Sequence, residues 1–260
     1  MLNYIKSELY RVWHVKIILS TAGIFSVIVF VMNFALFLFK DMEHFRYGIT
    51  SFSFSMIVSM PMIYCYVAAD IAATLYEGDR KNGMRQNSVA NGISRMEIFA
   101  GKCIVSLITA LAILAIILPV YIFSAVLLLK PAGPVTVGDM LMELPAAAPA
   151  GIASVILAVL LLEAFDKAIL SILAWIGIMV VMPKVFLVFG MIFGTRGDVL
   201  TSIAMWMPQN FFSAGMQVNM SECVAIWDTP AGMGRCILAG AAGIVIFSAG
   251  AVLMLRKKEI

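Results

Sequence analysis

Charge is scarce in this chain. Of 260 residues, 13% are charged and 62% are hydrophobic. A globular domain carries about 25% charged residues against about 45–50% apolar ones, so an ordinary water-facing surface is excluded. The apolar excess excludes intrinsic disorder too. The net charge of +3 is small for a nucleic-acid surface. Histidine is almost missing, with only His14 and His44. Three motifs are missing outright: a Gly-x-x-x-x-Gly-Lys-Ser/Thr loop, a His-Glu-x-x-His helix and a Gly-x-Ser-x-Gly elbow. With them go a phosphate-wrapping ATPase loop, a zinc hydrolase site and a serine nucleophile on a strained turn. A mean hydropathy of +1.01 says that the solvent is lipid.

What the chain has instead is long apolar runs. A bilayer core of about 30 Å needs about 20 apolar residues per helix. Ile17–Phe39 runs 23 residues without a charge, with Asn33 its most polar member. Phe52–Tyr76 is interrupted by Pro61 and Asp70, and Cys103–Leu129 is uncharged throughout. Ala146–Phe165 contains Pro149 and Glu163, Ala168–Phe193 is split by Pro183-Lys184, and Cys236–Leu255 closes the series. The expectation is an all-α polytopic membrane protein with six transmembrane helices in a single domain over residues 1–260. The first run is about twice a signal h-region and no small-residue cleavage site follows, so it reads as an uncleaved span.

Basic residues in the loops set the orientation. With the N-terminus inside, twelve Lys and Arg fall on the inner side and six on the outer. Both termini are then cytoplasmic, in the plasma membrane. The first 16 residues place Leu2, Ile5, Leu9, Val12 and Trp13 at helical spacing opposite Asn3, Lys6, Ser7, Arg11 and His14. This pattern predicts an amphipathic helix in the inner interface.

The inner loop 77–101 is the most informative stretch. Gly83 and Gly92 punctuate a short amphipathic segment, Met84–Ala90. Ser94 with Glu97 three residues on forms a capping-box pattern for the third span, and Lys102 follows. The loop reads as a short surface helix, a turn and a capped transmembrane helix.

These residues resemble the ABC-2 family of transporter permeases. The likeness rests on Asp79 four residues before Gly83, the short helix, Gly92, Ser94-Arg95, Ile98-Phe99 and Gly101-Lys102. It extends to the span count, both termini inside, a long outer segment between spans five and six, and the basic tail from Arg256. Proline is frequent in the family near Gly92, and Glu77 competes with Asp79 for the acidic position. The resemblance implies a coupling helix docked on a separate ATPase, with Asp79, Gly83, Met84, Arg85, Gln86, Val89, Gly92, Ser94, Arg95 and Glu97 at that interface. It implies two ATPase subunits holding ATP and Mg, a second permease subunit that is the same or homologous, and no cofactor on this chain. It also implies bacterial export of an amphipathic peptide, antibiotic or lipid-like substrate. In the outer segment 194–235, Trp206, Phe211 and Phe212 would belong to re-entrant helices closing the outer end; an interfacial aromatic belt is the other reading.

Asn33 and Asp70 are candidate pathway residues, since polar groups in spans are costly. Asp70 also reads as a helix-end carboxylate reaching water. No carboxylate is expected at mid-span, which disfavours a proton-coupled carrier. Cys65 and Cys103 read as apolar fillers, while Cys223 and Cys236 share the outer side and a disulfide between them stays open. Gly190/Gly194 and Ala239/Gly243 are small-xxx-small pairs that point to a dimer interface. An ATP-independent carrier or channel, an intramembrane enzyme and a scaffold remain as alternatives.

Overall fold

The computed structural model describes residues 1–14, 16–81, 90, 92–165, 167–194 and 197–259. The chain is almost wholly helical. Helix α1 (Leu2–His14) is followed by α2 (Lys16–Phe39), then by α3 (Thr50–Val58) and α4 (Ile63–Lys81). Next come α5 (Arg95–Leu128), α6 (Val137–Ala164) and α7 (Ala168–Ile176), which a π-helical turn over Gly177–Val181 joins to α8 (Met182–Ile192). Helices α9 (Asp198–Trp206) and α10 (Pro208–Gly215) precede a two-residue hairpin, β1 (Gln217–Val218) with β2 (Cys223–Val224). A 3-10 turn, Ile226–Asp228, leads into α11 (Pro230–Glu259). Among the described residues, five helical stretches are long and apolar enough to cross a membrane, and the pair α3–α4 makes a sixth if it is one broken span.

That pair departs from the uninterrupted second span expected over Phe52–Tyr76. Its two halves meet at 63°. Pro61 lacks the amide needed to continue the helix, and the chain turns over Ser59–Met62 before α4 starts. The fifth apolar run shows the opposite outcome. Pro183-Lys184 does not split it, because the π turn directly before Pro183 absorbs the missing hydrogen bond and the helix continues to Ile192.

The fourth span is also longer than the apolar run. Thr136 accepts from the Asp139 amide while Asp139 accepts from the Thr136 amide, a reciprocal cap that starts α6 at Val137. Most of the expected outer loop Lys130–Pro145 is therefore helix, and Pro145 and Pro149 lie inside it. Helix α6 is the centre of the bundle. Its most apolar window is 67% buried, against 11–33% in the other four candidate spans. Helices α4 and α11 pack along α6, α2 packs along α5, and α9 folds back on α8.

Helix α5 has 34 residues, about 50 Å at 1.5 Å per residue, against a hydrocarbon core of about 30 Å. It is longer than such a core is thick, and α1 covers its first turns. The Ser94–Glu97 capping box is formed as the sequence predicts. Gly92 adopts φ = 81°, a left-handed conformation closed to proline's fixed negative φ. This explains glycine where the resembled family often has proline.

Three of the four residues in the small-residue pairs, Gly190, Ala239 and Gly243, pack within the chain. A Cβ on Gly190 would overlap Thr201, and one on Gly197 would overlap the Gly190 carbonyl, so α8 and α9 meet backbone to backbone. Gly240 meets Pro149 and Gly243 meets Ala153 in the contact of α11 with α6. Ala239 is buried and Gly243 packs on Ala153, whereas Gly194 is exposed with open space about it.

Candidate functional site

At the end of the bundle that carries the N-terminus, α1 is locked to α5. Tyr4, Glu8 and Val12 form the buried stripe of α1, so a carboxylate lies on its packed face. Leu2 and Trp13, expected on the apolar side, are exposed. The Lys102 ammonium donates to the Glu8 carboxylate at 2.8 Å and the Arg11 guanidinium donates to it at 2.5 Å. Burial alone would raise the Glu8 carboxyl, but the two cations outweigh it and hold it below the ordinary glutamate value. Gly101 gives the Tyr4 ring its place against α5. The terminal ammonium of Met1 lies 3.3 Å from Glu97, tying the start of α1 to the α5 cap.

Of the expected ATPase-facing residues, Gly92, Ser94, Arg95 and Glu97 stand at this corner, with Arg95 and Glu97 half-buried. Asp79 lies in the last turns of α4. Gly83, Met84, Arg85, Gln86 and Val89 lie outside the described residues. The missed members of the corner are Glu8, Tyr4 and Lys102 as its counter-charge.

Asp70 lies on α4 and is exposed. Helix α4 continues eleven residues beyond it, so Asp70 does not end the helix as one sequence reading has it. It borders a cavity of about 440 Å³ with Tyr66, Ala69, Ser171, Trp175 and Val180. A second cavity, about 200 Å³, lies on its other side toward Thr21 and Phe25. Trp175 packs edge-on to Tyr66 at 5.7 Å, and its indole donates to the Ser154 carbonyl at 3.3 Å. The Tyr66 hydroxyl donates to Gln209 on α10 at 3.0 Å.

Asn33 is fully buried rather than facing a channel. Its amide donates to the Ser124 hydroxyl at 2.7 Å and to the Tyr121 carbonyl at 3.3 Å. Its carbonyl accepts from the Ser53 hydroxyl at 2.6 Å, and the Tyr121 hydroxyl donates to the Ser53 carbonyl. This network joins α2, α3 and α5; such bonds between membrane helices contribute about 0.6 kcal/mol each.

The proposed gate residues separate. Phe211 and Phe212 are buried, and the Phe212 ring meets Trp227 edge-on at 6.5 Å. Trp206 is half exposed. The Arg235 guanidinium lies over both Trp206 and Phe211, at 5.4 and 5.3 Å, and donates to the Met205 carbonyl. The Asn210 amide donates to the Pro183 carbonyl at 2.7 Å, so the start of α10 returns to α8 at the middle of that apolar stretch. Arg235, Asn210 and Trp227 were not selected from the sequence; an arginine in a segment rich in tryptophan and phenylalanine was the available signal.

Helix α6 carries two buried carboxylates, one toward each end, so neither stands at the middle of the helix, where the sequence expects none. Glu163 is buried near the end of α6, and Glu143 is fully buried near its start. Among the described residues no group of three or more His, Cys, Asp or Glu converges on a metal-sized site.

All four cysteines are free, Cys223 and Cys236 included, and only Cys223 is not buried. Burial, with the charges of Asp139 and Asp228, pushes its thiol up to about 11. A membrane-impermeant maleimide is therefore expected to label one cysteine per chain, slowly at neutral pH and faster as pH rises toward that value. Loss of the label in Cys223→Ser checks the assignment. A second labelled thiol, or a label that needs prior reduction, would contradict it.

No family model matches this chain, and no curated protein or solved structure matches it significantly.

Proposed function

We propose that this chain is the permease subunit of an ABC-2 type exporter, moving an amphipathic peptide, antibiotic or lipid-like substrate with energy from a separate ATPase. The observation that carries the reading is the lock of α1 onto the start of α5 through Glu8, Lys102 and Arg11. The segment after α4 feeds directly into that lock through Gly92 and the Ser94–Glu97 cap. A load applied to the 82–91 segment would reach a single helix of 34 residues already braced by α1. A two-state bundle biased by a bound partner needs such a lever.

The groove at Asp70 supports a second subunit in this reading. A carboxylate exposed on a spanning helix is costly in lipid. A second copy, or a homologous permease, would face this groove and enclose an aqueous path between the two. Helices α9 and α10 are then the re-entrant elements at the outer end, with Trp206, Phe211 and Phe212 at the gate and Arg235 clamping them. Six spans with both termini in the cytoplasm complete the topology.

The test is reconstitution with whatever ATPase co-purifies in stoichiometric amount. Charge reversal at Arg95 and a proline at Gln86 are each expected to cut transport tenfold or more while ATP hydrolysis persists. Full transport by well-expressed Arg95→Glu and Gln86→Pro variants would sink the coupling role. Transport by the chain alone, following an ion gradient, would favour a secondary carrier. Glu143 gives that second reading a specific foothold, because it supplies the buried carboxylate that such a carrier uses.

A further inference from the structure

Glu143 is the least provided-for polar group in the bundle. It lies six residues into α6, about 9 Å along the helix axis, on the half of the bundle opposite the N-terminus. Its relative exposure is 0%. Neither of its carboxyl oxygens has a hydrogen-bond partner. The Tyr64 hydroxyl, one residue past the start of α4 and just beyond the Ser59–Met62 break, is also buried and unpartnered.

The groups that face Glu143 can be named element by element. Helix α4 brings Tyr64 and α5 brings Tyr121, both within electrostatic range of the carboxyl. The Tyr121 hydroxyl is already engaged with Ser53. Helices α3 and α7 carry no titratable side chain. On α11, Arg235 is held over Trp206 and Phe211, and Cys236 is a buried thiol. Asp228 of the 3-10 turn accepts from the Ala225 amide at 2.6 Å. Among the described residues, no lysine or arginine neutralises Glu143.

An unpaired ionised carboxylate without hydrogen bonds is far costlier in such a place than a neutral acid, which keeps one O–H donor. A divalent cation needs six or more oxygens, whereas the unpartnered side-chain oxygens here are two on Glu143 and one on Tyr64. We propose that Glu143 is a proton-binding site: a neutral carboxylic acid while the bundle is closed, which gives its proton to water only when the region between α4 and α6 opens.

The step is a proton transfer from the carboxyl O–H to a water molecule, leaving a hydrated carboxylate. Opening and proton release are thereby one equilibrium. Acid at that face holds the bundle closed, and alkali favours the open form. This holds whether ATP or an ion gradient drives the protein, so its failure would leave the permease reading standing.

Infrared difference spectroscopy of the full chain in lipid nanodiscs tests it. At neutral pH the wild type is expected to show the carbonyl stretch of a protonated carboxyl, and Glu143→Gln is expected to lose one carboxyl equivalent of that band. Glu163→Gln serves as the control and is expected to leave the Glu143 contribution in place. Tyr64→Phe retains the carboxyl and is expected to shift the band, because it removes the one unpartnered hydroxyl beside it. Loss of a carboxylate band, not a carboxyl band, in Glu143→Gln would overturn the proposal. So would disappearance of the wild-type band on adding sodium, which would make the site a cation site. An unmoved band in Tyr64→Phe would remove Tyr64 from it.

Discussion

Glu8→Ala is expected to weaken the docking of α1 on α5 by about 3–5 kcal/mol, the range for leaving one partner of a buried ion pair unmatched. The carboxylate and the Lys102 ammonium are 8% and 9% exposed, so water restores little of the lost interaction. At 1.4 kcal/mol per factor of ten, the docked population falls by a hundredfold or more. Hydrogen exchange and limited proteolysis of residues 2–14 read the effect directly. Transport, if it depends on this brace, falls with it.

The double variant Glu8→Leu/Lys102→Met is expected to be much milder than the sum of its parts, because apolar side chains of similar volume can replace a buried pair at little cost. Equal effects of the single and double variants would mean that the pair does not hold α1. Acid supplies a further check. The Glu8 carboxyl is held below its ordinary value, so its contribution is fully present above that value. It is lost as pH falls through the depressed one. Docking of α1 is thus expected to survive mild acid and fail only below the usual glutamate range.

The contrast between Glu8 and Ser94 shows what the sequence could and could not disclose. Ser94 and Glu97 are three residues apart, and their reciprocal cap depends on nothing else, so the start of α5 was legible. The burial of Glu8 depends on Lys102, 94 residues away, and a helical wheel counts any carboxylate as polar. Glu143 was missed for a related reason. Charge and proline between Asp139 and Pro149 lower the local hydropathy, which suggests a loop. The Thr136–Asp139 cap, readable as a Thr-x-x-Asp pattern, was the signal that α6 begins before them. The π turn ahead of Pro183 and the return of Asn210 on α10 to Pro183 have no local signature, because each answers a contact made in three dimensions. The residues expected to touch an ATPase rest on resemblance alone, and five of the ten lie outside the described residues.

Gly240→Leu is expected to disrupt the bundle itself. Lipid supplies no hydrophobic force between helices, so α11 and α6 are held by close packing. They run in the same direction, with Gly240 at Pro149, Gly243 at Ala153 and Gly250 at Leu160. The atoms nearest a Cβ at Gly240 include the Pro149 carbonyl carbon at 2.6 Å and the Ala150 nitrogen at 2.7 Å. These are backbone atoms that no rotamer change can move. A leucine there must separate the two helices, and overpacking of this kind costs about 1–3 kcal/mol and sometimes more. The damage falls on α6, whose burial organises α4, α7 and the Glu143 region together.

Thermal unfolding in detergent is expected to shift down sharply for Gly240→Leu and less for Gly243→Ala, whose added carbon would meet the Ala153 methyl at 3.0 Å. The oligomeric state separates this account from the dimer interface that the small-residue pair suggests in the sequence. If Ala239 and Gly243 faced a second subunit, the variants would dissociate an oligomer and leave each chain as stable as before. If they join α11 to α6, the single chain loses stability while any contact made through the Asp70 groove persists. Gly240 is therefore the position at which intrachain packing and subunit pairing make opposite predictions.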